Sequence, residues 1–310
     1  MSIALGLPPL PRPIFVGGVS RSGTTVVGKH LLGKHPDIVC TKPAEMWFIT
    51  EAGGLCDMAV GGSRTRLAAL RRGKLSSMSA FDDRMHGFWY SRDWYRDGKK
   101  KGLVQSVPAE QLDEALAAFK AAYAADSVVA ARQLAADLID PYTRSKGGSR
   151  WVDTTPRNVR RADALYPVFG DLSVINMIRD GRDVAASIVS RPWGTNDYRD
   201  ALKQWFEDMR DGWSALAALP SEQVLTMQLE KLVGPPREKC YGQLLAFLDI
   251  SDAPAMREFF DAQMSLEAAN VGRWTVKLSP AEQSWASGQY AEYLAELERL
   301  GVKTPIDVLT

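Results

Sequence analysis

The apolar positions of the chain form short β-branched runs that alternate with longer segments of helical spacing. The runs at residues 14–19 and 172–178 are the clearest, and shorter ones lie at residues 38–40 and 224–229. Strands that are buried on both faces of a parallel sheet have near-continuous apolar runs of this kind. The pattern predicts an α/β fold of three layers, in which helices flank a mainly parallel central sheet.

The segments of helical spacing predict helices at residues 107–140, 196–219, 237–248 and 280–300. The first is rich in alanine, begins near Pro108 and is predicted to end at Asp140-Pro141. A second helix carries Trp205, Met209 and Trp213 at positions i, i+4 and i+8, a spacing typical of a core-facing stripe. These helices are predicted to form the scaffold, so the chemistry is expected in the loops that follow the strands.

The turn after the first strand is rich in glycine, and Gly18 and Gly23 stand five positions apart. This is the spacing of the phosphate-binding loop G-x-x-x-x-G-K-[ST], in which backbone N–H groups and a helix N-terminus converge on an anion. Thr24 replaces the lysine of that motif, and the nearest cation is Arg21. The turn is therefore predicted to be P-loop-like and to bind a phosphate beside the loop, rather than the triphosphate tail that the lysine reaches in NTPases.

Composition and charge limit the possible classes of protein. The chain has 310 residues, 45% of them hydrophobic, which suits one large domain over residues 1–310. A net charge of +1 gives no global electrostatic case for binding nucleic acid or a membrane. The three cysteines lack C-x-x-C spacing, which argues against a disulfide framework or a zinc site. No targeting segment or membrane span is apparent, so a soluble, cytoplasmic protein is expected.

Positive charge is concentrated in one segment. Residues 64–101 contain eleven Arg and Lys against four Asp, a net charge of +7, interleaved with aromatic residues. This composition predicts that residues 51–140 form a helical lid that selects the acceptor. An inserted helical segment whose rings pack inward and whose Arg and Lys side chains are solvated fits the composition equally well. Interleaved cations and rings also suit single-stranded nucleic acid, but no stacking motif accompanies them. His86 lies in this segment and is an alternative general base.

Glu45 follows the second strand and should stand just past its carboxyl end. Ligands bind at the carboxyl ends of strands in open parallel sheets. A carboxylate at this edge is placed to take a proton from an acceptor hydroxyl, which makes Glu45 the first candidate for a general base. A solvated surface glutamate is the alternative.

The hexapeptide Ser20-Arg21-Ser22-Gly23-Thr24-Thr25 resembles the 5′-phosphosulfate-binding loop of sulfotransferases that use 3′-phosphoadenosine 5′-phosphosulfate (PAPS). The likeness is to the branch carrying P-R-S-G-T-T, which is similar to tyrosylprotein and bacterial sulfotransferases, and Ser20 stands in place of its proline. A second likeness begins at Arg179 and includes Ser187 eight residues later, as in the family's site for the 3′-phosphate. The segment 270–280 resembles the family's loop that closes over the nucleotide.

The resemblance implies a role for each matching residue. The 5′-phosphosulfate would be held by Arg21, Ser22, Gly23, Thr24 and Thr25, with Arg21 also stabilising charge on the bridging oxygen. The 3′-phosphate would be held by Arg179 and Ser187, and the closing loop would contribute Gly272 and Arg273. Glu45 corresponds to the proposed base.

The segment 151–158 departs from the resemblance. It reads Trp-Val-Asp-Thr-Thr-Pro-Arg-Asn and resembles the family's W-V-E-K-T-P-R-N segment. Thr154 therefore stands where a lysine would contact the transferred sulfuryl group, and Arg21 and Lys42 are the candidates to replace that charge.

The implied reaction moves a sulfuryl group from PAPS to a hydroxyl or amine of a small-molecule, carbohydrate or peptide acceptor, without a metal. A nucleotide kinase is the rival enzyme, although Thr24 replaces its lysine. A nucleotide-binding protein that has lost its chemistry is the other alternative, because of Thr154. The sequence leaves the acceptor and the oligomeric state open.

Overall fold

The computed structural model describes residues 11–60, 78–92 and 100–305. Within them, five strands form one sheet in the order β2-β3-β1-β4-β5. The strands are Ile14–Gly18 (β1), Ile38–Cys40 (β2), Arg150–Asp153 (β3), Ser173–Ile178 (β4) and Val224–Gln228 (β5). The pairs β2/β3, β1/β3 and β4/β5 are parallel. The predicted α/β fold with a mainly parallel central sheet is confirmed.

Helices follow most of the strands. The α-helices are Trp47–Thr50, Leu55–Val60, Met78–His86, Ala109–Tyr123, Ser127–Ser145, Ala162–Phe169, Gly181–Ile188, Tyr198–Leu216, Leu229–Val233, Arg237–Leu248, Pro254–Gln263, Trp274–Lys277 and Pro280–Arg299. Short 3₁₀-helices lie at Leu32–Lys34, Leu103–Gln105, Pro156–Arg161 and Ser221–Gln223, and Val26–Leu31 is a π-helix.

The chain divides into two compact units. The first comprises the described parts of Met1–Phe15, His35–Thr155 and Asp163–Leu172. The second comprises the described parts of Val16–Lys34, Pro156–Ala162 and Ser173–Thr310. The prediction of one domain with a lid over residues 51–140 stays a prediction, and residues 61–77 and 93–99 of that segment lie outside the described residues.

The helix predicted over residues 107–140 is wrong in two respects. Asp126 accepts the N–H groups of Val128 and Val129 and so caps a new helix, which separates Ala109–Tyr123 from Ser127–Ser145. The second helix also continues through Pro141. A proline leaves the carbonyl four residues earlier without its helical donor. Here that carbonyl belongs to Asp137, and it accepts the side-chain amide of Gln111 at 2.6 Å instead.

In the second unit, an apolar core supports the loops that follow β1 and β4. Val19 and Ile178, at the ends of those strands, are buried in one cluster with Val184, Trp205 and Tyr290. The indole N–H of Trp205 donates to the carbonyl of Arg179 at 3.1 Å, which fixes the backbone where β4 ends. Two loops of the predicted site therefore rest on one packed core.

Gly18 is a position where the fold allows no side chain. Its φ is +132°, and a Cβ atom there would lie 2.1 Å from the carbonyl oxygen of Met177. We expect Gly18→Ala to lower the free energy of unfolding by about 2 kcal/mol or more, measured by urea titration. Gly147→Ala is the control, because Gly147 also has a positive φ, +80°, but nothing within 4 Å of its Cβ position. Equal losses in the two variants would mean that the Met177 contact is unimportant.

No helix among the described residues is both long and apolar enough to cross a membrane.

Candidate active site

The glycine-rich turn after β1 is closed by Ser22. Both its N–H and its hydroxyl donate to the carbonyl of Val19, at 3.2 and 2.6 Å, and the side chain is fully buried. Arg21 has a φ of +72°, in the left-handed region that is uncommon for residues other than glycine. Helical structure begins at Thr24, which is buried, and continues through Thr25, which is exposed. The N–H groups of a first helical turn have no partner within the helix, so the turn has the form of an anion site.

Arg21 and Ser187 are in direct contact. Nε of Arg21 donates to Oγ of Ser187 at 2.9 Å, although 166 positions separate the two residues in sequence. The resemblance assigns these side chains to opposite ends of the nucleotide. The structure brings them together, and which end each serves stays a prediction.

The guanidinium of Arg179 joins the glycine-rich turn to the segment before Gly272. Nη1 donates to the carbonyl of Arg21 at 3.0 Å, and Nη2 donates to the carbonyls of Ala269 and Asn270 at 2.8 and 3.0 Å. Arginine has five N–H donors, and these bonds use three of them. The side chain therefore orders two loops, and its Nε is a buried donor with no hydrogen-bond partner among the described residues.

Asp183 holds the segment 272–274. Its two carboxylate oxygens accept the N–H groups of Gly272 at 2.7 Å and Trp274 at 3.0 Å, and Nη2 of Arg179 lies 3.7 Å away. Burial raises the pKa of Asp183, while those N–H groups and the guanidinium act in the opposite direction. Gly272 thus contributes its backbone to this loop. Arg273 is exposed, and its Nη1 donates to the side chain of Asn270 at 3.3 Å.

Asp180, Arg182 and Glu230 form a second polar group beside this loop. Asp180 caps the helix Gly181–Ile188 by accepting the N–H of Arg182, and its carboxylate also binds the guanidinium of Arg182 through both oxygens. Oε1 of Glu230 accepts the N–H of Asp180 at 2.9 Å. Glu230 is only 3% exposed, and its Oε2 has no hydrogen-bond partner among the described residues.

The buried carboxyl of Glu230 should give the protein a distinct pH dependence of stability. Burial raises its pKa above the ordinary 4.5, against the opposing effect of the Asp180 N–H. The folded state then binds the proton more tightly than the unfolded state, so stability falls as pH rises from 4.5 to the raised value. We expect Glu230→Gln to gain stability relative to wild type across that window, as measured by urea unfolding at a series of pH values.

Glu222→Gln is the matched control for this prediction, because Glu222 is exposed. Its pH profile should parallel that of the wild type. A parallel profile for Glu230→Gln as well would contradict the prediction. Asp183 also has a raised pKa, so part of the wild-type slope should remain in the variant.

Glu45 lies in the first unit and is half-buried. Its Oε2 accepts the indole N–H of Trp47 at 2.8 Å, which restricts where the carboxylate points. The guanidinium of Arg92 lies 4.2 Å from the centroid of the same indole ring, and the ring of Phe88 lies 5.8 Å from it. The candidate base therefore adjoins an aromatic cluster that also carries a cation.

The end of β3 fixes the segment that carries Glu45. Thr154 is fully buried, and both its N–H and its hydroxyl donate to the carbonyl of Ala44 at 2.8 Å. Oδ1 of Asp153 accepts the N–H of Met46 at 3.0 Å and both donors of Thr155. The Thr154 hydroxyl is thus engaged with the backbone next to Glu45. Lys42, a candidate to replace the family lysine, is exposed, and its carbonyl accepts the hydroxyl of Ser106.

His86, the alternative base, is an ion-pair partner. Its Nε2 lies 2.9 Å from Asp113, its Nδ1 lies 3.5 Å from Asp82, and its pKa is raised, chiefly by the hydrogen bond to Asp113. Two of the predicted lid aromatics, Phe81 and Trp89, are buried. These two rings therefore pack inward, which was one of the alternatives left open by the sequence.

Sequence reasoning missed Asp183, Asp153 and Glu230 as residues that shape the site. Asp183 looks like an ordinary helix-start acid, and Asp153 like the end of a strand. The available signal was spacing: Asp183 stands four residues after Arg179, a separation at which the two charges can meet where the chain enters a helix. Among the described residues, no group of three or more His, Cys, Asp or Glu side chains is placed to hold a metal ion.

Solved structures of sulfotransferases share this fold. The sulfotransferase domain of the Synechococcus PCC 7002 olefin synthase superposes with a TM-score of 0.53 at 16% identity, over 94% of this chain and 96% of that domain. The sulfotransferase domain from the curacin biosynthetic pathway gives 0.51 at 15% identity, over 96% of this chain and all of that domain (100%). At these identities the likeness concerns the fold.

Sequence comparison gives the family. The model described as "Sulfotransferase family" matches residues 13–254, and this chain belongs to that family. A putative protein-tyrosine sulfotransferase from Caenorhabditis briggsae is 26% identical over 86% of this chain and 76% of its own length. Protein-tyrosine sulfotransferase 1 from Danio rerio is 25% identical over 76% of this chain, and the match spans about half of that protein, 53%.

Proposed function

We propose that the protein transfers a sulfuryl group from PAPS to a hydroxyl or amine acceptor and releases 3′-phosphoadenosine 5′-phosphate (PAP). The observation that carries the proposal is the guanidinium of Arg179, which bonds the carbonyl of Arg21 in the glycine-rich turn and the carbonyls of Ala269 and Asn270. One side chain thereby orders both loops that the family resemblance assigns to the nucleotide.

The donor set suits a nucleotide with two separate anionic groups. The helix N-terminus at Thr24 favours the 5′-phosphosulfate, since its N–H groups and dipole attract negative charge. Arg179 is the proposed partner of the 3′-phosphate, to which Ser187 would add a hydroxyl. Arg21 bonds Ser187 in this structure, so its Nε would exchange that hydroxyl for an anion when the nucleotide binds.

The acceptor would be activated by Glu45. Its carboxylate would take the proton of the acceptor hydroxyl as the acceptor oxygen attacks sulfur, and the bond between sulfur and the bridging oxygen would break in line. The electron pair of that bond leaves with PAP, and Arg21 is the proposed partner of the charge on the bridging oxygen. The indole N–H of Trp47 orients the Glu45 carboxylate from the side. Thr154 and Asp153 keep its backbone in place.

A tyrosine side chain in a peptide is the acceptor that we propose to test first. Two relatives are named protein-tyrosine sulfotransferases. The net charge of +7 over residues 64–101 would also favour an acidic peptide. The aromatic cluster of Trp47 and Phe88 next to Glu45 suits a phenol ring.

The proposal is tested by incubating the protein with PAPS carrying radioactive sulfur and a panel of acceptors: an acidic tyrosine peptide, a simple phenol, an oligosaccharide and an amine. Transfer of label to one class of acceptor is the expected result. A sulfuryl and a phosphoryl group have nearly the same mass, so labelled sulfur distinguishes them better than mass alone. Phosphate transfer from ATP with Mg²⁺, without transfer from PAPS, would instead identify a kinase.

A further inference from the structure

In the second unit, a buried carboxylate joins the end of β4 to the loop at residues 269–274. Asp183 lies in the first turn of the helix Gly181–Ile188, and its side chain is 1% exposed. Its Oδ2 accepts the N–H of Gly272 at 2.7 Å, and its Oδ1 accepts the N–H of Trp274 at 3.0 Å, so each oxygen has a donor. Burial of a carboxylate is costly, and an apolar residue would serve packing at least as well. The contacts that Asp183 makes therefore explain this residue better than packing does.

The loop that Asp183 holds has a backbone conformation that its own sequence does not favour throughout. Asn270 and Gly272 both have a positive φ, +54° and +77°. The left-handed region is uncommon for a residue other than glycine, and such a conformation persists where the surrounding structure fixes it. Asp183 supplies part of that support, because it bonds the N–H groups of Gly272 and Trp274 from the start of a helix.

The same loop sets the direction of the Arg179 guanidinium. Nη2 donates to the carbonyls of Ala269 and Asn270 at 2.8 and 3.0 Å, and the carboxylate of Asp183 forms an ion pair with this nitrogen at 3.7 Å. Nη1 donates to the carbonyl of Arg21 in the glycine-rich turn. The arginine thus bonds the carbonyls of the loop, and the aspartate bonds its N–H groups. A displaced loop would take two acceptors away from Nη2.

We propose that Asp183 is a positioning residue for the nucleotide, which acts through the loop 269–274 on the guanidinium of Arg179. The inference rests on the proposed function, in which Arg179 binds the 3′-phosphate. An ordered loop keeps the guanidinium in the orientation that meets this phosphate. Loss of Asp183 therefore weakens the contact to the 3′-phosphate more than the contacts to the 5′-phosphate at the glycine-rich turn. The coupling is reciprocal, so a nucleotide with a 3′-phosphate also stabilises the loop.

The first test is calorimetric titration of Asp183→Asn with PAP and adenosine 5′-phosphate. Asparagine has the size of aspartate but one acceptor oxygen, so one of the two loop N–H groups loses its bond. We expect PAP to bind at least about tenfold more weakly than to the wild type, and adenosine 5′-phosphate to bind within about threefold. Asp200→Asn is the matched control and should leave both affinities unchanged, because Asp200 also lies in the first turn of a helix but is exposed.

A double-mutant cycle tests whether Asp183 acts through Arg179. Once Arg179→Ala is in place, adding Asp183→Asn should weaken PAP binding by less than about threefold, because the side chain that Asp183 positions is already absent. Independent effects would instead multiply.

Hydrogen exchange of the N–H groups of Gly272 and Trp274 gives a readout that needs no activity. In Asp183→Asn, at least one of them should exchange at least about tenfold faster than in the wild type, with no change in Asp200→Asn. In the wild type, PAP should slow the exchange of both, and adenosine 5′-phosphate should slow neither. This comparison of nucleotides remains decisive if Asp183→Asn fails to fold.

The inference and the proposed function fail in different ways. Equal losses of affinity for the two nucleotides in Asp183→Asn, multiplied effects in the cycle, or exchange at Gly272 and Trp274 that neither the variant nor PAP changes would overturn the inference, since Asp183 would then be structural only. Each of these results leaves the proposed function standing, as long as the wild type binds PAP. No binding of PAP to the wild type would reject both.

Discussion

Replacing Glu45 with glutamine is expected to lower the rate of sulfuryl transfer by about 100-fold or more, while the affinity for PAP stays unchanged. The glutamine side chain keeps the shape of glutamate, and its oxygen can still accept the indole N–H of Trp47. It cannot take a proton from the acceptor. The measurement is single-turnover transfer from PAPS to the best acceptor, together with calorimetric titration of PAP.

Glu51→Gln is the matched control for this variant. Glu51 lies in the same unit and likewise accepts an indole N–H, that of Trp89, at 2.6 Å. Its replacement should leave turnover within a few-fold of the wild type. Trp47→Phe, which removes the N–H that orients Glu45 together with part of the ring that contacts Arg92 and Phe88, should give an intermediate loss. Equal turnover of Glu45→Gln and wild type would exclude Glu45 as the base, and no turnover in any variant across the acceptor panel would favour a nucleotide-binding protein without chemistry.

Replacing Arg179 with alanine is expected to weaken PAP binding by about 100-fold, the loss that results from removing a charge-assisted contact to a phosphate. The side chain also holds the carbonyls of Arg21, Ala269 and Asn270, so some stability should be lost as well. The readout that separates the two effects is the ratio of affinities for PAP and adenosine 5′-phosphate. A lost 3′-phosphate contact lowers this ratio, whereas a general loosening of the loops weakens both ligands alike.

Arg210→Ala provides the matched control for charge, since Arg210 is exposed and paired with Asp211. It should leave both affinities unchanged. Arg179→Lys keeps the charge but loses the planar fork, so its affinity for PAP should fall between those of wild type and alanine. An unchanged ratio of affinities in Arg179→Ala would show that this side chain is structural only.

The strands and the loops after them were predictable because they depend on local sequence. The apolar runs at residues 14–19, 38–40 and 172–178 identified β1, β2 and β4 to within a residue at each end, and the glycine spacing located the turn after β1. Gly18 also explains why that turn needs glycine, since the carbonyl of Met177 occupies the space of a Cβ. Runs of this kind carry their own signal, and no knowledge of distant residues is needed.

The features that the sequence did not predict depend on partners far along the chain. The helix through Pro141 persists because Gln111, 26 residues before Asp137, donates to the freed carbonyl. Thr154, which stands where the family has a lysine, bonds the carbonyl of Ala44 across 110 positions. Long-range hydrogen bonds of this kind leave no local pattern. From the sequence alone, Thr154 looks like a lost catalytic lysine. Its bond to Ala44 instead gives it a structural role, because it supports the segment that carries Glu45.

The most direct test of the proposed nucleotide site is calorimetric titration of the wild-type protein with PAP, adenosine 5′-phosphate and ATP with Mg²⁺. If the glycine-rich turn and the end of β4 bind the two phosphates of one nucleotide, PAP should bind at one site. Its affinity should exceed that of adenosine 5′-phosphate by at least about 10-fold, because the 3′-phosphate adds a charge-assisted contact. No uptake of PAP, or tighter binding of ATP with Mg²⁺ than of PAP, would contradict this site.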